Sequence, residues 1–401
     1  AAAREQVEPQ EHCDRMSDTW TKIWKKLSIE FDDFIRTTEP RHENVVTEVL
    51  QQLWEKGDIY KEEYEGWYSV FEERFFTEKD LVDGKDPIGG REVEKLKESN
   101  YFFKMSQYQD WLISHYEANP TAVVPEFRLN EVKGFLRQPL GDLCISRPKS
   151  RLAWGIPIPW DNEYVTYVWF DALLNYYSAT LTPPVGKKVK WPATYHIIAK
   201  DILTTHAVYW PIMLHAAGLE PPKQILAHGY WLAKGSVKMS KSIGNVVRPL
   251  DMAEYFGTDG LRYVLMREMV LGQDASLSID TLVNRINTEL ANDLGNLYSR
   301  LAKIWQTGGY GETIPPTQAP EIIPEELQNL RNNLGSRVRD EIEKVRPHIA
   351  IEVVMQVVRE MNRFIEHLKP WAVVKTDPQS IFEPIAYLLD TLYEVACNLE
   401  P

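Results

Sequence analysis

Three short apolar runs, residues 164–170, 195–199 and 224–227, limit what this chain can build more than any other feature of it. Each has the length and the branched and aromatic content of a strand buried on both faces. Residues 202–217, with helical spacing, lie between the second and third run. The strand-helix-strand rhythm predicts an α/β fold with a doubly wound, Rossmann-like parallel sheet. Upstream, Met16, Trp20, Ile23, Trp24 and Leu27 recur at helical spacing, and a second helical pattern over 45–56 ends at Gly57. Residues 59–76 then gather Tyr, Trp and Phe around Gly66 and lead into a Gly- and Asp-rich turn at 83–90, which predicts a small β-rich insertion. Helical spacing is expected again over 100–136. Beyond Asp280 the strand patterns stop, and 284–306, 325–345, 349–368 and 378–399 predict a C-terminal all-α helical bundle.

Composition narrows the class. With 401 residues, 44% hydrophobic and 26% charged, the chain has material for more than one core. No apolar stretch approaches the ~20 residues a bilayer span requires, and the first 13 residues do not read as a signal peptide, so no membrane partner and a cytoplasmic or organellar-matrix location are expected. Cys13, Cys144 and Cys397 are too few and too scattered for a disulfide framework or a zinc knuckle, so no metal-ligating residues are assigned. A net charge of −13 weighs against a polyanionic partner without deciding the matter, because one basic face can coexist with an acidic remainder.

The sharpest chemical signal is Lys238-Met239-Ser240-Lys241-Ser242, preceded by Gly235 and followed by Gly244 and Asn245. A lysine-rich surface loop is the ordinary alternative. The string follows the run that ends in Ala227-His228-Gly229-Tyr230, where a nucleotide-handling loop of such a sheet belongs. It resembles the lysine-serine signature loop of class I aminoacyl-tRNA synthetases. The resemblance implies that Lys238 and Lys241 are catalytic, meeting the negative charge that builds on ATP phosphates when a carboxylate attacks the α-phosphorus. By the same resemblance ATP is held by Asp201, His228, Gly229, Lys238, Ser240 and Lys241. Ala199-Lys200-Asp201 departs from the family's usual Gly-Lys-Asp at its first residue.

Ile202, His206 and Trp210 recur at intervals of four, placing them on one face of one helix. With Tyr167-Val168-Trp169-Phe170-Asp171-Ala172-Leu173 and Tyr176 they resemble the two pocket-forming stretches of methionyl-tRNA synthetases. Trp169, Ala172, Tyr176, Ile202, His206 and Trp210 are thereby expected to bind methionine, whose polarizable sulfur favours aromatic edges. Leu173 stands where some relatives carry Pro. Arg147 matches a family position near the amino acid.

In the helical tail, Asn296 and Arg300 lie one turn apart and Pro370-Trp371 follows another helix. These four match the family's anticodon readers, which stack unpaired bases on aromatic faces and bond to their edges. Arg331, Arg337, Arg339, Lys344 and Arg346 are candidates for a basic face toward the tRNA backbone. Tyr64-Glu65-Gly66-Trp67-Tyr68 resembles the family's connective insertion, and the lack of cysteine there matches its zinc-free, bacterial or organellar-like branch.

The resemblance implies ligation of L-methionine to tRNA(Met) with ATP and Mg2+, no zinc, no DNA partner, and a monomer. The family's His-x-Gly-His phosphate turn occurs nowhere in the 401 residues. A fragment truncated at its N-terminus is therefore expected, with a sheet incomplete in its N-terminal half, a helical domain that is itself truncated, and no activity alone. A non-catalytic tRNA-binding module or degenerate paralogue is the alternative. The expected blocks are 1–58, remnant of the first catalytic half; 59–150, connective insertion; 151–232, second catalytic half; 233–280, signature loop and stem-contact region; and 281–401, helical anticodon-binding domain.

Overall fold

The computed structural model describes residues 2–69, 74–76, 78, 81–86, 90–233, 235, 237–239 and 246–400. The chain divides into two compact units: Ala1–Asp18 with Glu30–Ala227, and Thr19–Ile29 with His228–Pro401. Helices α1 (Ala2–Glu5) and α2 (Pro9–Lys26) open it.

In the first unit, α3 (Pro40–Lys56) starts on a proline, whose missing N–H costs nothing in the first turn. It stops at Gly57, which takes the left-handed conformation and donates its N–H back into the last turn. Val46, Leu50 and Leu53 form its fully buried stripe. The insertion is a long antiparallel ribbon, β1 (Ile59–Ser69) and β3 (Glu94–Phe103), registered from Ile59 opposite Phe103 to Tyr68 opposite Glu94. With β2 (Arg74–Phe76) and β5 (Leu143–Cys144) it makes a sheet ordered β2-β1-β3-β5. The strand β3 thus occupies residues 100–103, where helix was expected. Its Tyr101, Phe102 and Phe103 are buried, and a run of three buried neighbours has no helical period.

After α4 (Gln109–Ala118) comes the two-residue strand β4 (Val123–Val124), then α5 (Glu126–Phe135). Strands β6 (Ser146–Pro148), β7 (Pro157–Ile158) and β8 (Asp161–Thr166) form an antiparallel sheet with β8 central. This corrects the expectation of a buried parallel strand over 164–170. The strand ends at Thr166, and α6 (Val168–Leu173) follows, then α7 (Asn175–Leu181). Phe170, Leu173 and Leu174 are buried at helical spacing while Val168 is 52% exposed, a pattern no doubly buried strand can have.

The two later runs are strands as expected, β9 (Tyr195–Ala199) and β10 (Gln224–His228). They join β4 in a sheet ordered β4-β10-β9, with Ile225 parallel to Val123. Between β9 and β10 the chain is helical, but not one regular helix. A 3-10 turn (Lys200–Ile202) leads to a π-helical turn (Thr205–Tyr209) and then α8 (Trp210–Ala216). One core of Val, Leu, Ile and aromatic side chains runs from α3 through α8 to β10.

In the second unit, β11 (Trp231–Ala233) pairs antiparallel with β12 (Val237–Lys238) and parallel with β13 (Ala275–Ser276). Helices α9 (Pro249–Phe256) and α10 (Thr258–Glu268) precede α11 (Ile279–Arg285), which passes through a π-helical stretch (Ile286–Gly295) into α12 (Asn296–Gly308). The bundle is completed by α13 (Glu325–Asn332), α14 (Leu334–Glu343), α15 (Pro347–Leu368), α16 (Pro370–Val373) and α17 (Phe382–Leu399). Its core draws Leu297 and Leu301 from α12, Val354, Val358, Met361 and Ile365 from α15, and Ile385 and Leu388 from α17. Glu289, 4% exposed, is neutralised where the helices converge: Arg267 and Arg285 approach its carboxylate at 3.1 and 2.8 Å, and Tyr263 Oη–H donates to it at 2.6 Å. Burial alone would raise this carboxyl, and the hydrogen bonds from Arg267 and Tyr263 overcome it and hold it lowered. No helix is long and apolar enough to cross a membrane among the described residues.

Candidate active site

The pocket residues expected from the sequence converge in the first unit. In a regular α-helix each four-residue step drifts by roughly 40°, so Ile202, His206 and Trp210 would spiral off a common face. The wider π turn at Thr205–Tyr209 holds His206 and Trp210 toward one partner, Tyr176 on α7, with ring centroids 5.7 and 6.1 Å away. Trp169, on α6, meets His206 edge-on at 6.3 Å. Trp210 is fully buried, while Trp169, Ala172, Tyr176 and Ile202 are partly buried.

Hydrogen bonds fix how these rings sit. His206 Nδ1–H donates to the Ile202 carbonyl at 2.9 Å, which leaves Nε2 to accept Tyr176 Oη–H at 2.9 Å. His206 is thus held as one neutral tautomer, and burial lowers its pKa against the opposing pull of the Ile202 carbonyl. Burial also raises the Tyr176 hydroxyl. Tyr176, His206 and Trp210 are therefore uncharged with their polar hydrogens committed to protein acceptors, and the wall they form suits a thioether better than an ionised side chain.

His196 and Trp191 belong to the same ring cluster, and sequence reasoning did not single them out. His196 points inward from β9, 4% exposed, with its ring 4.1 Å from that of Tyr176. It accepts the Trp210 indole N–H on Nε2 at 3.1 Å, so it too is neutral. Burial, with His206 adding its repulsion, pushes its pKa down to about 4. Trp191 packs edge-on against Trp210 at 6.0 Å. The available signal was a histidine at an inward position of an otherwise apolar strand.

The nucleotide candidates are split between the units. In the first, Asp201 is exposed in the 3-10 turn that follows β9, and no side chain caps that turn. In the second, half-buried His228 ends β10, its Nδ1–H donating to the Gly229 carbonyl at 2.8 Å. Gly229 has a packing reason to be glycine: a Cβ there would lie 2.1 Å from the Gln273 carbonyl oxygen. Lys238 is exposed on β12 with its Nζ 5.4 Å from the centre of the Tyr230 ring. Ser240 and Lys241 lie outside the described residues. Arg147 is buried, donates to the Ser146 carbonyl at 2.8 Å and stacks over Tyr167 at 4.5 Å.

The helical candidates also come together. Arg300 lies over the Trp371 ring at 4.9 Å and pairs with Glu366 at 2.8 Å. Trp371 is 42% exposed, so it is not a core anchor; Pro370 beside it is buried, and Asn296 is exposed one turn before Arg300. Ser299, Arg300, Lys303, Ile304 and Trp371 line a shallow groove of about 260 Å³. The expected basic face is largely spent on internal partners: Arg331 on Asp390, Arg337 on Gln356, and Lys344 and Arg346 on Glu341.

The family model described as tRNA synthetases class I (M) matches residues 1–94 and 76–302. A methionine--tRNA ligase of Clostridium tetani is 43% identical over 92% of this chain, which spans 58% of that relative. Another, from Rhizobium meliloti, is 41% identical over 100% of the chain, covering 78% of its own length. A crystal structure of Mycobacterium tuberculosis methionyl-tRNA synthetase bound by methionyl-adenylate superposes with a TM-score of 0.90 at 38% identity, over 99% of this chain and 79% of that one. With its caged aromatic pocket, and with kinship in both sequence and fold, the chain belongs to the methionyl-tRNA synthetases of class I.

Proposed function

We propose that the protein joins L-methionine to tRNA(Met) in two steps. The methionine carboxylate attacks the α-phosphorus of ATP and pyrophosphate leaves; a ribose hydroxyl of the tRNA terminus then attacks the methionyl carbonyl and AMP leaves. The observation that carries this reading is the neutral cage of Trp169, Tyr176, His206 and Trp210, with Tyr176 Oη–H donating to His206 at 2.9 Å. Lys238 and Lys241 are assigned to the phosphates, where two ammonium groups favour the transition state over bound ATP. Asp201 is assigned to the ribose, and His228 and Gly229 to the rest of the nucleoside. Asn296, Arg300, Pro370 and Trp371 are assigned to the anticodon.

Mg2+ is assigned to the ATP phosphates, since no three His, Cys, Asp or Glu are grouped to cage a metal among the described residues. Because the chain spans less than two thirds of several relatives and contains no His-x-Gly-His turn, these 401 residues alone are proposed to be inactive. The test is ATP-pyrophosphate exchange, run on the chain alone and joined to a relative's segment bearing that turn. Exchange is expected only in the joined protein and only with methionine. Faster exchange with leucine or valine would reassign the substrate, and no exchange with any amino acid would favour a tRNA-binding module.

A further inference from the structure

His42 is 0% exposed on α3, far in sequence from the pocket, and both of its ring nitrogens are engaged. Nε2 lies 2.6 Å from Asp171 Oδ1 on α6, and Nδ1 lies 2.9 Å from Ser178 Oγ on α7. The Asp171 carboxylate accepts from His42 Nε2–H, and the Ser178 hydroxyl, which also lies 3.1 Å from the Asn175 carbonyl, meets the ring at Nδ1. One imidazole therefore ties together two helices of six and seven residues. Helices that short do not hold their own orientation in water and take it from tertiary anchors. Trp169 and Ala172 flank Asp171 on α6, and Tyr176 precedes Ser178 by two residues on α7. The neighbouring Arg41 secures the far end of α7 through the Thr182 carbonyl at 3.1 Å, and is itself held by Asp33.

We propose that His42 is a positioning residue for the methionine side chain: through Asp171 it sets the orientation of α6, and with it the gap between Trp169 and His206. The inference rests on the proposed methionine activation. Asparagine at position 42 can place an amide near the Nδ1 site and reach Ser178 alone; glutamine can place one near the Nε2 site and reach Asp171 alone. If the α6 link sets the pocket, the two substitutions separate.

The experiment is methionine-dependent ATP-pyrophosphate exchange in the joined protein, with kcat and both KM values measured for His42→Asn, His42→Gln and, approaching the same link from α6, Asp171→Ala. His42→Asn and Asp171→Ala are expected to raise the methionine KM about tenfold while the KM for ATP and kcat change less than about twofold. His42→Gln is expected to stay near the unsubstituted methionine KM. Equal methionine KM values in all variants, or ATP and methionine KM values rising together, would overturn the positioning role; should His42→Asn fail to fold, Asp171→Ala decides. Absence of exchange in the unsubstituted protein overturns the activity, and this inference with it.

Discussion

At the scale of single residues, His196 makes the pocket's neutrality measurable. An unfolded imidazole titrates near 6.5, whereas the folded side chain is pushed down to about 4 by burial and by His206. Between those values the unfolded chain binds more protons, so stability rises with pH there. The contribution is complete above about pH 6.5 and is lost as pH falls toward 4, to an extent of about 3 kcal/mol. His196→Asn keeps a carbonyl acceptor for the Trp210 indole but cannot titrate. Urea unfolding at pH 7 and pH 4.5 should show the unsubstituted protein losing more stability than the variant, by about 2–3 kcal/mol. Parallel losses would mean that His196 is not held neutral by its site. His42 was not legible from the sequence as part of the site, because the partners that give it meaning lie far away along the chain: Asp171 and Ser178 are 129 and 136 residues from it. His196 lies only 14 residues from Trp210, and its inward place on an otherwise apolar strand was the one signal it offered. The pocket residues that were legible, Trp169, Tyr176, His206 and Trp210, carry a recognisable local string.

At the scale of elements, α12 and the turn into α16 test the RNA reading. Trp371 is 42% exposed beneath the Arg300 guanidinium, so its removal takes little from the bundle core. If it stacks a base, Trp371→Ala should lower kcat/KM for tRNA charging by about 10- to 100-fold, corresponding to ~1–3 kcal/mol of stacking, and leave pyrophosphate exchange intact. A parallel loss of both activities would make the residue structural. Legibility at this scale follows element length. The 22 residues of α15 repeat their apolar stripe several times, and its expected span differs from the observed one by two residues. The run at 164–170 holds too few periods to separate strand from helix, and it contains the second half of one and the first half of the other. The π turn at Thr205–Tyr209 was invisible for a different reason: spacing of four suggests an α-helix, and nothing in the residues announces the extra width.

At the scale of the molecule, the central proposal is that the ring cage of the first unit accepts a sulfur side chain. Both halves of that cage come from one core: α6 and α7 on one side, and the turn leading from β9 into α8 on the other. The most direct measurement is a crystal of the joined protein soaked with selenomethionine, with anomalous scattering used to locate selenium. The expected result is a peak among the rings of Trp169, Tyr176, His206 and Trp210 that an excess of methionine removes and an equal excess of leucine does not. Selenium bound elsewhere on the protein, with those rings closed upon each other, would contradict it.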